Sequence, residues 1–415
     1  MEAIIIVIGN EVVSGCVVDR NSAFLSSELQ RLGIRVIKKV IIPDEKDEIL
    51  KSLHEGTERA ELIILTGGLG PTHNDITRKT VSSFLKRRLI LNDKLLTKLK
   101  EHFAEKGIEM PQVSTSYALV PQGATILDST IGAAPGFLFE EKFGTIILLP
   151  GTPYEMEAIF NKSVLPYLRK KEKKIILSQT IHTTGISEAE LYERLKGIKK
   201  MENVVFLPLS TGIDIRVIQE SDTTENARDE LLSITDSIID KLDDFYYGSD
   251  NETLEIVVGI LLSMRRKKLA IAESCTAGLL MKRVTDVPGS SNYFVGGVVT
   301  YSNEAKIRIL KVNKEYIKRK GAVSGKVAER MAEGVRKLLK ADYGVSITGI
   351  AGPSGEMKEK PIGLVYIGIS DETSTISKVY HFTGTRETIR EQSAQAGLDL
   401  LRKKLLGMEI GNKKK

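Results

Sequence analysis

Cysteine is nearly missing from this chain of 415 residues: there are two, Cys16 and Cys275. Most of the sequence separates them, so no disulfide framework exists, which fits a reducing compartment and predicts a cytoplasmic protein. Histidine is scarce as well. The five present (His54, His73, His102, His182 and His381) show no HExxH or CxxC-type spacing, which argues against zinc. No apolar run approaches the ~20 residues that span a bilayer, so no membrane partner is expected. The opening MEAIIIVIGNEVVSG has no basic leader region and reads as a first strand. Basic blocks are rare too. The net charge is +6, but lysine and arginine alternate with acids, and the block GNKKK stands alone at the end of a short tail, residues 409–415. No nucleic-acid partner is predicted from that pattern.

What is there is an α/β chain: 41% hydrophobic and 27% charged, long enough for two or three domains. Over residues 1–170, IIIVIG, IRVIKKVII and LIILTGG alternate with helical stretches, and GFLFE and TIILLPG follow. That rhythm predicts a largely parallel sheet with helices on both faces. RKKEKK, residues 169–174, reads as a linker or solvated turn. Residues 175–248 read as a small α+β module, with VVFLPL and GIDIRVIQES as a hairpin. Residues 252–408 read as a second α/β domain, beginning with the helix ETLEIVVGILLSMRR and the strand KLAIAES.

The chemistry of the last domain centres on AIAESCTAGLL. An apolar strand stops at Glu273-Ser274-Cys275-Thr276 and a helix follows, so a hydroxyl and a thiol both sit at a strand-to-helix turn. Serine needs a base. His381 is the one histidine in the domain, and Lys306 in TYSNEAKIRIL is the alternative. Ser302 or Asn303 reads as a helix cap, which puts Lys306 in a first turn where the helix dipole disfavours its charged form. Tyr301 would bond both partners and relay the proton. A Ser274-Lys306-Tyr301 set suits amide or ester cleavage through an acyl-enzyme. The same spacing also describes an ordinary cap beside a solvated lysine, and Cys275 also reads as a small buried residue. SITGIAGPSG adds a glycine-rich loop that can cradle an anion, and Thr385-Arg386 opens a helix as a ready phosphate site.

These stretches, with DVPGSSNYFVGGVVTYSNEAKIRIL, GAVS and GTRETIR, resemble the C-terminal domain of the CinA family over about residues 250–408. The resemblance implies a nicotinamide mononucleotide deamidase, an α/β amidase domain that releases ammonia, leaves nicotinate mononucleotide and needs no cofactor. It implies Ser274 as nucleophile, Lys306 and Tyr301 as its activators, and Thr276, Gly278, Thr348 and Gly349 as lining of the substrate site, with Arg386 holding the phosphate. One departure is visible: Ala277 stands where the family usually has glycine.

In the first domain, TGGLGPTHNDIT offers the backbone of Gly67, Gly68 and Gly70 and the carboxylate of Asp75. GNEVVSGCVVDRNSAFL adds Glu11, Asp19 and Asn21 on the same sheet edge, and LPGTPYEM is a third turn there. A phosphoester held with a divalent cation suits that set. The domain resembles the molybdopterin-binding-like N-terminal domain of the CinA family. That resemblance implies metal-dependent hydrolysis of ADP-ribose, with Asp75 and Glu11 as metal ligands and Gly67, Gly68, Gly70, Asp19 and Asn21 at the nucleotide. Asn74 replaces a usual aspartate and Asn10 a usual threonine or aspartate. A homodimer is also implied by the resemblance. Two other readings stay open: a nucleotide-binding regulator linked to competence or DNA damage without turnover, and a general serine amidase or esterase indifferent to phosphate.

Overall fold

The computed structural model describes residues 1–127, 134–171, 175–221, 223–355 and 360–408. The basic tail, the end of RKKEKK and part of the loop after SITGIAGPSG therefore lie outside the described residues. Arg169, Lys170 and Lys171 do not form a linker: they finish the helix Leu165–Lys171.

The first sheet runs in the spatial order Arg35–Ile42, Glu2–Ile8, Leu62–Thr66, Gly144–Leu149, Gly136–Glu141 and Thr125–Leu127. The first four strands pair in parallel and the last two join antiparallel. Alternation along Glu2–Ile8 explains why both faces are covered. Ile4, Ile6 and Ile8 enter one core with Ile63 and Leu65, while Ala3, Ile5 and Val7 enter the other with Leu62 and Ile64. A strand apolar at every position has to be buried on both sides. Residues 88–127 carry no strong reading in the sequence, yet they hold the helix Asp93–Glu105, which Asn92 caps by accepting from Leu95 N at 2.9 Å.

The middle residues form a four-stranded sheet in the order Val204–Leu209, Gly212–Ser221, Ile175–Thr183 and Tyr246–Ser249. Val204–Leu209 and Gly212–Ser221 make the antiparallel hairpin that the sequence predicts.

The last sheet runs Phe294–Val299, Leu269–Glu273, Tyr343–Gly349, Leu364–Ser370 and Thr375–His381. Leu269–Glu273 is parallel to both of its neighbours, so its carboxyl end opens between two strand ends. That is where α/β sheets bind ligands. Size alternates along this strand. Leu269 and Ile271 pack with Leu254, Val258, Leu398 and Leu401, whereas Ala270 and Ala272 leave room for Val327, Met331 and Val335 of the helix Gly325–Leu338.

Contacts group the chain into two compact units, Met1–Leu177 with Gln219–Asp229, and Ser178–Ile218 with Glu230–Lys415. Most of the middle module, Ser178–Ile218 and the residues from Glu230 on, groups with the C-terminal residues. Arg402, on the C-terminal helix Arg386–Leu405, shows one reason. Its guanidinium is 3% exposed and donates to Tyr246 O at 2.9 Å and Asp244 O at 2.6 Å, fastening the Tyr246–Ser249 strand to that helix.

Candidate active site

Ser274 follows directly from the Leu269–Glu273 strand and is 8% exposed. Backbone bonds fix the start of its turn on both sides: Ser274 N donates to Ile347 O at 3.0 Å, and Thr300 N donates to Glu273 O at 2.8 Å. The helix starts later than the sequence suggests, at Leu279, because Ala277 and Gly278 both take positive φ, 49° and 96°. Gly278 suits that region, and Ala277 adopts it at a cost.

Lys306 meets Ser274 from the helix Asn303–Leu310. Of the two cap candidates it is Ser302 that caps, accepting from Ala305 N at 3.1 Å. Lys306 is 1% exposed, and its Nζ lies 3.0 Å from Ser274 Oγ, 2.6 Å from Thr300 O and 3.4 Å from Tyr301 O. A neutral amine has two N–H donors and one lone pair. Lys306 Nζ donates to all three oxygens as the ammonium, and once neutral it has a lone pair free to take the Ser274 proton. Burial pushes the Lys306 pKa down to about 8. Burial acts oppositely on Cys275, pushing its thiol up to about 11. Cys275 is a packed core residue. His381 is exposed at the end of the edge strand Thr375–His381, and Ser274 Oγ has Lys306 as its bonding partner.

Tyr301 corrects the expected relay. Its side chain is 62% exposed, and its hydroxyl accepts from Arg386 Nη2 at 3.2 Å; it bonds Lys306 only through its backbone carbonyl. Arg386 also donates from Nη1 to Gly352 O at 2.5 Å, so it bridges Tyr301 and the glycine-rich loop. Its helix is capped by Thr385, as predicted.

The other expected lining residues divide. Thr276 is fully buried with Oγ1 unpartnered, as is Thr300, whose carbonyl holds Lys306. A buried hydroxyl without a partner is the exception in a folded chain. Gly278, by contrast, spends its N–H on Glu273 Oε2 at 2.9 Å. Thr348 donates to Ala322 O at 3.1 Å, tying the GAVS segment to its strand, and Gly349 pairs with Val365. Three residues escaped the sequence reading. Glu273 is buried and bonds the turn, Thr300 seats Lys306, and Arg390 donates to Thr276 O at 2.8 Å while its buried Nε has no partner. A signal existed for Arg390, since it stands four residues after Arg386 and shares its helix face.

The N-terminal turns line a cavity of about 590 Å3, with Gly67, Gly68, Gly70, Asn10, Glu11, Asn74, Asp75, Asp44 and Glu155 in its wall. A Cβ at Gly67 would lie 2.0 Å from Ile8 O and one at Gly68 2.2 Å from Thr77 Oγ1, so only glycine fits. Asp75 does not fit a metal ligand. Its oxygens accept from Gly70 N at 2.8 Å and Thr72 N at 2.9 Å, which closes its own loop. Among the described residues no group of three or more His, Cys, Asp or Glu is placed to hold a metal ion. Asp19 accepts from Ser22 N at 2.9 Å in the first turn of the helix Asn21–Arg31, and Asn21 bonds Thr66 Oγ1 and Gly151 O. Neither lines the cavity. Arg78 was not anticipated. It is 4% exposed, its Nε and Nη1 have no partner, and burial lowers its pKa against the pull of Asp75.

Comparison with known proteins bears on both ends of the chain. Residues 251–405 match the family described as "CinA C-terminal domain", residues 4–170 "Probable molybdopterin binding domain", and residues 178–248 "Damage-inducible protein CinA KH domain". A relative from Caldicellulosiruptor saccharolyticus, named as a competence-damage inducible protein, is 39% identical over 98% of this chain and 100% of its own. The chain belongs to the CinA family. A CinA-like protein of Nostoc punctiforme is 37% identical, again over 98% of this chain and 100% of its own. A solved CinA superfamily protein from Klebsiella pneumoniae is 31% identical over 37% of this chain and 96% of its own, with a TM-score of 0.36. No helix among the described residues is long and apolar enough to cross a membrane.

Proposed function

We propose that the C-terminal domain of this CinA-family chain hydrolyses the amide of nicotinamide mononucleotide, releasing ammonia. The observation that carries the reading is the buried Lys306 Nζ, 3.0 Å from Ser274 Oγ and held by the carbonyls of Thr300 and Tyr301. Lys306 takes the Ser274 proton as Oγ attacks the carboxamide carbon. The tetrahedral intermediate collapses with the proton returned to the leaving nitrogen, and water, deprotonated by the same amine, hydrolyses the acyl-enzyme. The free Thr276 and Thr300 hydroxyls supply donors near the developing oxyanion. Arg386 keeps N–H groups beyond the two it spends on Gly352 and Tyr301, and these suit a phosphate.

Ammonia release from nicotinamide mononucleotide, measured beside nicotinamide riboside, tests the substrate. Arg386→Ala is expected to lose roughly ten- to hundredfold in kcat/KM on the nucleotide alone, the range for one charged hydrogen-bonding group. Equal losses on both substrates would remove the phosphate clamp and favour a general amidase. A purified chain that binds the nucleotide without releasing ammonia would favour the regulator.

For the N-terminal cavity we propose a phosphoester ligand of the ADP-ribose class, supported by the glycine cradle of Gly67, Gly68 and Gly70 in its wall. Binding of ADP-ribose is expected to be insensitive to added magnesium, because Asp75 is engaged by its own loop. Binding that requires the cation would return Asp75 to a ligand role.

A further inference from the structure

We propose that Glu273 is a positioning residue for Ser274, its buried carboxylate holding the turn that carries the nucleophile. The proposal rests on the Ser274 reading above and extends it to a group that touches no reacting atom. Glu273 is fully buried at the end of its strand. Its Oε2 accepts from Gly278 N at 2.9 Å and Leu280 N at 3.2 Å, and its Oε1 accepts from Met281 N at 2.8 Å. All three donors are backbone N–H groups, so both oxygens act as acceptors and the carboxylate closes a ring around Ser274, Cys275, Thr276 and Ala277.

The turn needs such a hold. Ala277 and Gly278 are consecutive left-handed residues, a conformation that alanine resists. Glu273 compensates by satisfying the N–H groups that this conformation aims inward, groups that would otherwise be buried without partners. Because the protein's own carboxylate fills this helix start, the substrate phosphate must find its donors elsewhere, which agrees with Arg386. The hold also sets catalytic geometry. Ser274 Oγ stands 3.0 Å from Lys306 Nζ, and a misplacement of about 1 Å at such a pair costs on the order of a hundredfold in rate.

Glu273→Gln replaces one accepting oxygen by an NH2 group that opposes an N–H, and Glu273→Asp withdraws the carboxylate by one methylene. Both variants of the full chain are to be compared with the wild type by the rate and stoichiometry of Ser274 modification with a fluorophosphonate probe, and by kcat and KM for ammonia release. The expected result for Glu273→Gln is undiminished labelling per folded chain, with labelling rate and kcat down at least about tenfold and KM within about twofold of wild type. Glu273→Asp is expected to recover part of the rate. Wild-type labelling rates in both variants would overturn the proposal. So would a fall in labelling stoichiometry and melting temperature with an unchanged rate per folded chain, since that is a purely structural role. The labelling arm reads the turn whatever amide the site cleaves, so failure of the nicotinamide reading and failure of this proposal appear in different measurements.

Discussion

At the residue scale the neighbours Ser274 and Cys275 are separated by surroundings, not by chemistry. The thiol is intrinsically the better nucleophile once ionised, but burial holds its pKa near about 11, while the serine has the amine of Lys306 at 3.0 Å. Ser274→Ala is therefore expected to abolish ammonia release and Cys275→Ala to retain most of it. The sign of the pH dependence follows from Lys306. The base works only when neutral, so kcat/KM should rise with pH through about 8 and level off above it. Lys306→Ala should cost about a hundredfold or more and remove that limb from the profile, the range expected for general-base assistance. A flat profile between pH 6 and 9 in the wild type would refute the lysine base. The sequence raised Ser274 at the end of its strand and Lys306 in the first turn of a capped helix, as one of two base candidates, and the structure brings the two to 3.0 Å. Tyr301 was not legible in its role. Its hydroxyl turns to Arg386, 85 residues later in the chain, and adjacency to Lys306 carries no information about that partner.

At the element scale the turn Ser274–Gly278 is the part of the site whose backbone departs most from what its sequence prefers. Alanine in the left-handed region costs about 1–2 kcal/mol, and glycine avoids that at an entropic cost of about 0.5–1 kcal/mol. Ala277→Gly is therefore expected to stabilise the chain modestly, by about 1 kcal/mol at most, in equilibrium denaturation. Ala277 is itself exposed, so little packing is lost. A destabilisation would mean that stiffness in the unfolded chain outweighs strain in the folded one. The same scale explains why Asp19 and Asp75 read as ligands in the sequence and serve as structure. Each accepts from an N–H within five residues of itself, through Ser22, Gly70 and Thr72. A carboxylate at a turn has the same spacing whether it faces a cation or closes its own loop. The periodic strands, in contrast, were legible to within a residue or two, because a buried parallel strand has to be apolar throughout.

At the scale of the whole molecule, Arg402 ties the strand Tyr246–Ser249 to the C-terminal helix across more than 150 residues of sequence, a contact that composition does not announce. His182 links three strands of the middle sheet and the residues just after it. Its Nδ1 lies 2.7 Å from Asp214 Oδ1, its Nε2 lies 2.7 Å from Asp250 O, and its ring stacks on Tyr247 at 5.6 Å. Two acceptors face two ring nitrogens, and only the imidazolium donates to both. The hydrogen bond to Asp214 leads the causes that raise the His182 pKa above its usual value, against partial burial. A raised folded-state pKa means that the folded chain binds the proton more tightly than the unfolded one. The stabilisation is therefore complete below the unfolded value of about 6.5, and it is lost as pH rises through the higher folded value. His182→Gln keeps one donor and one acceptor but cannot take the charge. The stability gap between wild type and His182→Gln, read from urea denaturation, is expected to be widest near pH 5.5 and to narrow steadily toward pH 8.5. A gap that stays constant over that range would show that the middle sheet uses the ring for packing and hydrogen bonding without its proton.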